Sequence, residues 1–147
     1  MDYILSENFA ANNLTSNLYD YATGVEYFTE KYDSDVEKMF ELDLSTISAN
    51  RTSTKRFDFV VKTANKVFGI ETNFYASKGS KLIETARSYK AIALESQSID
   101  GFEFVWITDG GGWKFARNNL KETFLVLDNL YNIKNLEDGI FMELFNE

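Results

Sequence analysis

Residues 55–75 read Lys55-Arg56-Phe57-Asp58-Phe59-Val60-Val61-Lys62-Thr63-Ala64-Asn65-Lys66-Val67-Phe68-Gly69-Ile70-Glu71-Thr72-Asn73-Phe74-Tyr75, and this stretch decides the fold. Its bulky apolar residues recur with a period of two, the spacing of a strand and not of a helix. The pattern predicts a strand from Lys55 to Val61, with Phe57, Phe59 and Val61 on one face and Asp58 and Val60 on the other. Thr63-Ala64-Asn65-Lys66 reads as the hairpin turn. In the second strand, Val67 to Tyr75, Phe68, Ile70, Thr72 and Phe74 share one face, and Gly69, Glu71 and Asn73 share the other.

The two acids in these strands are the candidate site. A carboxylate between large apolar residues is costly unless something compensates for it. Two on paired strands would repel each other and bind protons more tightly, unless a divalent cation lies between them. Such a cation would activate water and stabilise charge on a phosphate. The spacing alone is equally met by acids that face solvent on the open side of an antiparallel sheet.

Working outward, the segment before the hairpin places Leu5, Phe9, Leu14, Leu18, Tyr21 and Val25 at helical spacing. Ser34-Asp35-Val36-Glu37 has the form of a capping box and predicts a short helix that buries Val36, Met39 and Phe40. Leu42, Leu44 and Ile47 then lead into a predicted strand. After the hairpin, Lys78-Gly79-Ser80 turns into a helix from about Lys81 to Gln97, with Leu82, Ala86, Tyr89 and Ala93 inward. Phe102 to Ile107 is a further strand. Asp109-Gly110-Gly111-Gly112 turns into a helix with Trp113, Ala116, Leu120, Phe124 and Leu127 inward, and a last helix runs near Leu136 to Phe145. The whole reads as one α/β (α+β) domain over 1–147. A helical part over 1–40 precedes a core over 41–147 that holds a mixed central sheet flanked by helices.

Composition removes several mechanisms. The chain of 147 residues has neither histidine nor cysteine, so imidazole acid/base chemistry, thiolate nucleophiles and disulfides are excluded, as are most zinc sites. Catalysis falls to carboxylates, lysines or hydroxyls, with a hard cation such as Mg2+ held through oxygen. The net charge of -8 is unevenly spread. Residues 1–48 hold ten acids and two bases, residues 49–121 hold seven acids and twelve bases, and residues 122–147 hold six acids and one base. The balances are therefore -8, +5 and -5, and a phosphate-binding face belongs in the basic middle, unless the surface charge is simply uneven. No apolar run reaches the ~18 residues of a membrane span, and no signal peptide is read at the start, so a cytoplasmic protein without a membrane partner is expected.

Glu71 and Asn73, two residues apart, point at the same place, as in the D…(D/E)-x-K motif of nucleases. The stretches Lys55 to Val61, Glu71 to Tyr75 and Gly79 to Lys90, with Trp106-Ile107-Thr108-Asp109-Gly110 and Gly112-Trp113, resemble the core of the Dpn/Mbo restriction endonucleases. The similarity continues through Asn118-Asn119-Leu120 and Tyr131-Asn132-Ile133. The resemblance implies a PD-(D/E)XK nuclease core that hydrolyses double-stranded DNA at GATC with Mg2+. It makes Asp58 and Glu71 the metal ligands. Asn73 stands where most nucleases of that fold place a lysine, so Lys78 or Lys81 is the candidate for the missing positive charge. Both also read as solvated surface residues. Arg56, Arg87 and Lys90 are candidates for phosphate contacts, although Arg87 and Lys90 would equally pair with Glu84.

Against that family the chain looks shortened on the N-terminal side, running from Tyr21-Ala22-Thr23-Gly24-Val25-Glu26 almost directly into Tyr32-Asp33-Ser34-Asp35. The helix that carries a further acid is missing by this comparison, and Glu26 or Glu37 is the available substitute. Two expectations follow. One is a compact nuclease, a homodimer because a palindromic site is matched by a two-fold protein. The other is a catalytically silent derivative, a phage-encoded anti-CRISPR or anti-restriction inhibitor. Its acidic ends and the apolar Ile83, Phe115 and Leu125 would meet a basic defence protein.

Overall fold

The alternating stretch forms a hairpin at the centre of a five-stranded sheet. The computed structural model describes residues 25–47 and 54–145. Strand β1 (Glu26–Tyr32) leads into helix α1 (Asp33–Phe40), and the hairpin strands β2 (Arg56–Lys62) and β3 (Val67–Phe74) follow. Next come helix α2 (Ser80–Ser96), strand β4 (Phe102–Asp109), a 3₁₀ turn (Gly111–Phe115) and helix α3 (Arg117–Val126). The short strand β5 (Leu130–Tyr131) and helices α4 (Ile133–Glu137) and α5 (Ile140–Phe145) complete the described part. The spatial order is β1-β2-β3-β4-β5. The first three strands are antiparallel, and β3, β4 and β5 are parallel, giving a mixed sheet flanked by helices as expected.

Both faces of the sheet are covered, which is why β2 and β3 are buried along nearly their whole length. On one face Phe57, Val60, Phe104 and Trp106 pack beneath α1, α2 and α3 through Val36, Leu82, Ala86, Ala93 and Ala116. On the other, Phe59, Val61, Phe68, Ile70, Val105 and Ile107 pack against Leu136, Phe141 and Phe145 of α4 and α5. Each fully buried apolar side chain contributes about 1.5–3 kcal/mol relative to exposure. The hairpin turn falls where predicted: Thr63 and Lys66 share a backbone hydrogen bond of 2.9 Å, and the Thr63 hydroxyl accepts from the Lys66 N–H at 3.1 Å.

Several elements depart from expectation. Glu26–Tyr32 is a strand inside a part read as helical over 1–40; as a sheet edge with none of its residues buried, it lacks the apolar alternation of a half-buried strand. The readings on residues 1–24, Leu5 to Tyr21 among them, lie outside the described residues. The described residues after Leu42 hold no strand but an irregular stretch and a turn at 45–47, from which Leu44 and Ile47 are buried in the main core. Helix α1 is capped at Tyr32, two residues before the Ser34 of the expected box: Asp35 accepts the Tyr32 N–H at 3.1 Å, while Glu37 reaches forward to the Leu44 N–H at 3.0 Å. Val36 is buried, but Met39 is exposed. The last helix is two, separated at Gly139, whose φ of +88° is left-handed.

In α3 the inward position is Thr123, fully buried, and not Phe124, which is 58% exposed. The Thr123 hydroxyl donates to the Ala86 carbonyl at 3.0 Å, so a polar side chain occupies the seam between α2 and α3 at little cost. Gly110, at φ +113°, and Gly112 let the loop after β4 lie against the loop after β3. A Cβ on Gly110 would run into the Tyr75 carbonyl oxygen, to which the Gly112 N–H donates at 2.9 Å.

Candidate active site

The site forms where the regular ladder between β2 and β3 stops. The last paired residues are Phe59 and Ile70, so Asp58 and Glu71 stand one step beyond them. On the other side of β2, Glu30 is passed over between the pairs Thr29–Phe59 and Lys31–Phe57, and its φ of +50° is left-handed. The Asp58 carboxylate accepts the Thr72 N–H at 2.9 Å and the Thr72 hydroxyl at 3.3 Å, satisfying a donor that a continuing ladder would have taken. Asp58 is 3% and Glu71 5% exposed, so both acids are buried and neither faces solvent on an open sheet.

The same irregularity turns Lys55 and Phe57 onto the face that carries Glu71. Phe57 was expected to share a face with Phe59 and Val61, but it packs with Val60, over Gly69 and 5.8 Å from the Phe102 ring. The absent side chain of Gly69 makes that room, since a Cβ there would lie 2.7 Å from the Phe57 ring. The Lys55 ammonium forms an ion pair with Glu71 Oε1 and lies 5.1 Å from the centre of the Tyr89 ring. Asp33, buried at the start of α1, holds Lys55 in place: its N–H donates to the Lys55 carbonyl at 2.8 Å and its carboxylate accepts the Lys55 N–H at 3.3 Å.

Burial raises the proton affinity of Glu71 most, and the charge of Asp58 and a hydrogen bond with it raise it further. Lys55 acts in the opposite sense, and the carboxyl ends at about 8. One ammonium does not balance two buried carboxylates. Among the described residues no group of three or more acids could hold a metal, so among them the carboxylates available to a cation here are Asp58 and Glu71. That donor set fits Mg2+, which commonly takes one or two carboxylates, keeps several waters and completes its shell with phosphate oxygen.

The remaining candidates separate. Asn73 shares the face of Glu71, but its Oδ1 accepts from Trp106 Nε1 at 3.1 Å and from the Thr108 hydroxyl, which in turn accepts from Trp113 Nε1 at 2.9 Å. It is a positioning residue that ties β3 to β4. Lys78 lies over the Phe115 ring at 5.6 Å, and both Lys78 and Lys81 are exposed. Lys55 is the lysine that the structure places at the acids. Sequence reasoning passed over it because, in a regular strand, residues three apart point to opposite faces. Arg56 and Arg87 are exposed, and Lys90 lies 3.8 Å from Glu122 of α3, not Glu84. Glu26 pairs across from Lys62, four positions along β2 from Asp58, and Glu37 is engaged by Leu44, so neither joins the site.

The described residues form a mixed α+β fold with two buried acids on adjoining strands, and the comparisons give the family. The DpnII restriction endonuclease family model matches residues 26–143, and the chain belongs to that family. It is 42% identical over 167 residues to the type II restriction enzyme DpnII of Streptococcus pneumoniae, covering 90% of this chain and 58% of that enzyme. It is 42% identical over 115 residues to the type II restriction enzyme MboI of Moraxella bovis, covering 78% of this chain and 39% of that one. It is 31% identical over 146 residues to the type II restriction enzyme MjaIII of Methanocaldococcus jannaschii, covering 97% and 49%. The chain thus spans only about half the length of these relatives. No solved structure gives a significant match. Among the described residues no helix is long and apolar enough to cross a membrane.

Proposed function

We propose that this chain carries the catalytic core of a Mg2+-dependent endonuclease that hydrolyses double-stranded DNA at GATC-type sites. The observation that carries the reading is the buried pair Asp58 and Glu71 with the Lys55 ammonium beside it. The arrangement is the D…E-x-N form of a PD-(D/E)XK core, with the lysine supplied from the start of the preceding strand and not from the motif itself. Asp58 and Glu71 would hold the metal. Bound there, Mg2+ supplies a water of lowered proton affinity and charge neutralisation at the phosphate. Lys55 places a fixed positive charge beside the reacting phosphate, and Asn73, held by Trp106 and Thr108, keeps the end of β3 aligned with β4. A palindromic site is matched by a two-fold protein, so we take the working form to be a homodimer.

The inhibitor reading draws no support from the relatives, which are restriction enzymes. Ile83, Phe115 and Leu125 are indeed exposed. The test is cleavage of unmethylated GATC duplex with Mg2+ by the wild-type chain and by Asp58→Ala. Cutting at GATC that is lost in the variant is the expected result. A purified protein that neither cuts nor binds the duplex overturns the proposal.

A further inference from the structure

We infer that the duplex backbone is held by Lys114, Arg117 and Lys121, on a groove at the carboxyl ends of β4 and β5, and not by Lys90, which faces Glu122. The inference rests on the nuclease reading of Asp58 and Glu71. The groove measures about 540 Å³ and is lined by Thr108, Lys114, Arg117, Lys121, Phe124 and Tyr131 among others, with no acid in its lining. Open α/β sheets bind ligands in the crevice outside the carboxyl ends of their strands, which is where this groove lies.

Three observations give the groove an anionic occupant. Among the described residues none of the three bases sits in an ion pair, whereas Lys66, Lys90 and Lys134 all do. Arg117 opens α3, whose first turn contains no acid and whose N-cap, Ala116, offers no side-chain acceptor. Cations at that end oppose the helix dipole, so their placement there costs stability unless an anion is bound. The neighbouring acid, Asp109, gives its two oxygens to the N–H groups of Gly110 at 2.7 Å and Ile133 at 3.1 Å, and so is directed at backbone.

The groove is also tied to the site. Trp113 Nε1 donates to the Thr108 hydroxyl, and that hydroxyl donates to Asn73, two residues from Glu71. Two residues along β3 and two strands across place it roughly 10–15 Å from Glu71. That is less than half of the ~34 Å turn of a duplex, so one DNA molecule reaches both. Phosphate is a sequence-independent ligand, and these contacts set the position of the duplex and not the choice of bases. Phe124, 58% exposed, adds an apolar surface to the groove lining.

The test is equilibrium binding of a GATC duplex and of a scrambled duplex, with Ca2+ in place of Mg2+, across a salt series. Lys114→Ala/Arg117→Ala/Lys121→Ala should weaken both by on the order of a hundredfold at 0.1 M salt. It should also make the slope of log K against log salt shallower by about 2 to 3. Lys90→Ala should change the slope by less than about 0.5. A charge-retaining variant, Lys114→Arg/Arg117→Lys/Lys121→Arg, should keep the wild-type slope, which separates charge from folding. Wild-type binding with an unchanged slope in the triple alanine variant overturns this inference alone. A wild-type chain that binds no duplex overturns the nuclease reading and this inference with it.

Discussion

Replacing Lys55 with methionine separates the two jobs its ammonium performs. The Lys55 ammonium lies 5.8 Å from the Phe57 ring centre and 5.1 Å from that of Tyr89, and methionine, of similar length, removes the charge while still filling the space. The side chains of Lys55 and Glu71 are 19% and 6% exposed, so the pair is largely desolvated. At an effective dielectric of about 20, a pair at contact is attracted by roughly 4 kcal/mol. Stability should fall by less, because Glu71, raised to about 8, is already largely protonated at neutral pH in the metal-free protein. We expect a loss of about 1–3 kcal/mol, which lowers Tm by roughly 2–12 °C in a chain of this size. Cleavage depends on the charge itself and should fall by about 10²–10³, the effect of removing one preorganised stabilising group. The assay is single-turnover cleavage of a GATC duplex well below the variant's Tm, with Lys78→Ala and Lys81→Ala alongside. A Lys55→Met rate within about threefold of wild type, together with a larger loss in Lys78→Ala or Lys81→Ala, would refute the assignment of the charge to Lys55.

Other expectations are simpler to state. Asp58→Ala should abolish Mg2+ binding measured by calorimetry, and so should Glu71→Ala; unchanged affinity in both would remove the two acids as ligands. In metal-free protein, the Glu71 proton affinity is raised on folding from 4.5 to about 8, so this residue's contribution is full below 4.5 and is lost as pH rises through 8. Wild type should therefore lose stability relative to Glu71→Gln between about pH 5 and 9 in urea titrations with chelator, and parallel curves would contradict this. Gly69→Ala should destabilise by about 1–3 kcal/mol, since its Cβ would press the buried Phe57 and Phe102 rings; an unchanged urea midpoint would show that they yield freely. Thr123→Val should cost about 1 kcal/mol by deleting the hydroxyl's bond to Ala86, read in the same titration.

The hairpin, the helix α2 and the strand β4 were legible because each obeys a simple period: two for Phe68 and Ile70 in β3, and three to four for Leu82, Ala86, Tyr89 and Ala93 in α2. The acids were legible for the same reason, as charges in positions where the period demands apolar residues. Strand β1 was missed because none of its residues is buried, so no apolar alternation marks it, and β5 because two residues carry no period at all. Phe124 was misplaced because hydrophobicity says which residues prefer burial, while the seam between α2 and α3 was filled by Thr123 through a single hydroxyl bond.

By itself the sequence determined the chemistry that is open to this protein: no imidazole, no thiol, two carboxylates in adjoining strands, and a basic middle segment. It determined the mixed sheet as well, because alternation and turn residues act locally. The tertiary structure alone decided which lysine meets those carboxylates. Lys55 reaches Glu71 only because the ladder breaks at Asp58 and Gly69 leaves space for Phe57, and both conditions involve residues on different strands. No periodicity along one strand encodes such a break, since its cause is the Thr72 N–H across the sheet.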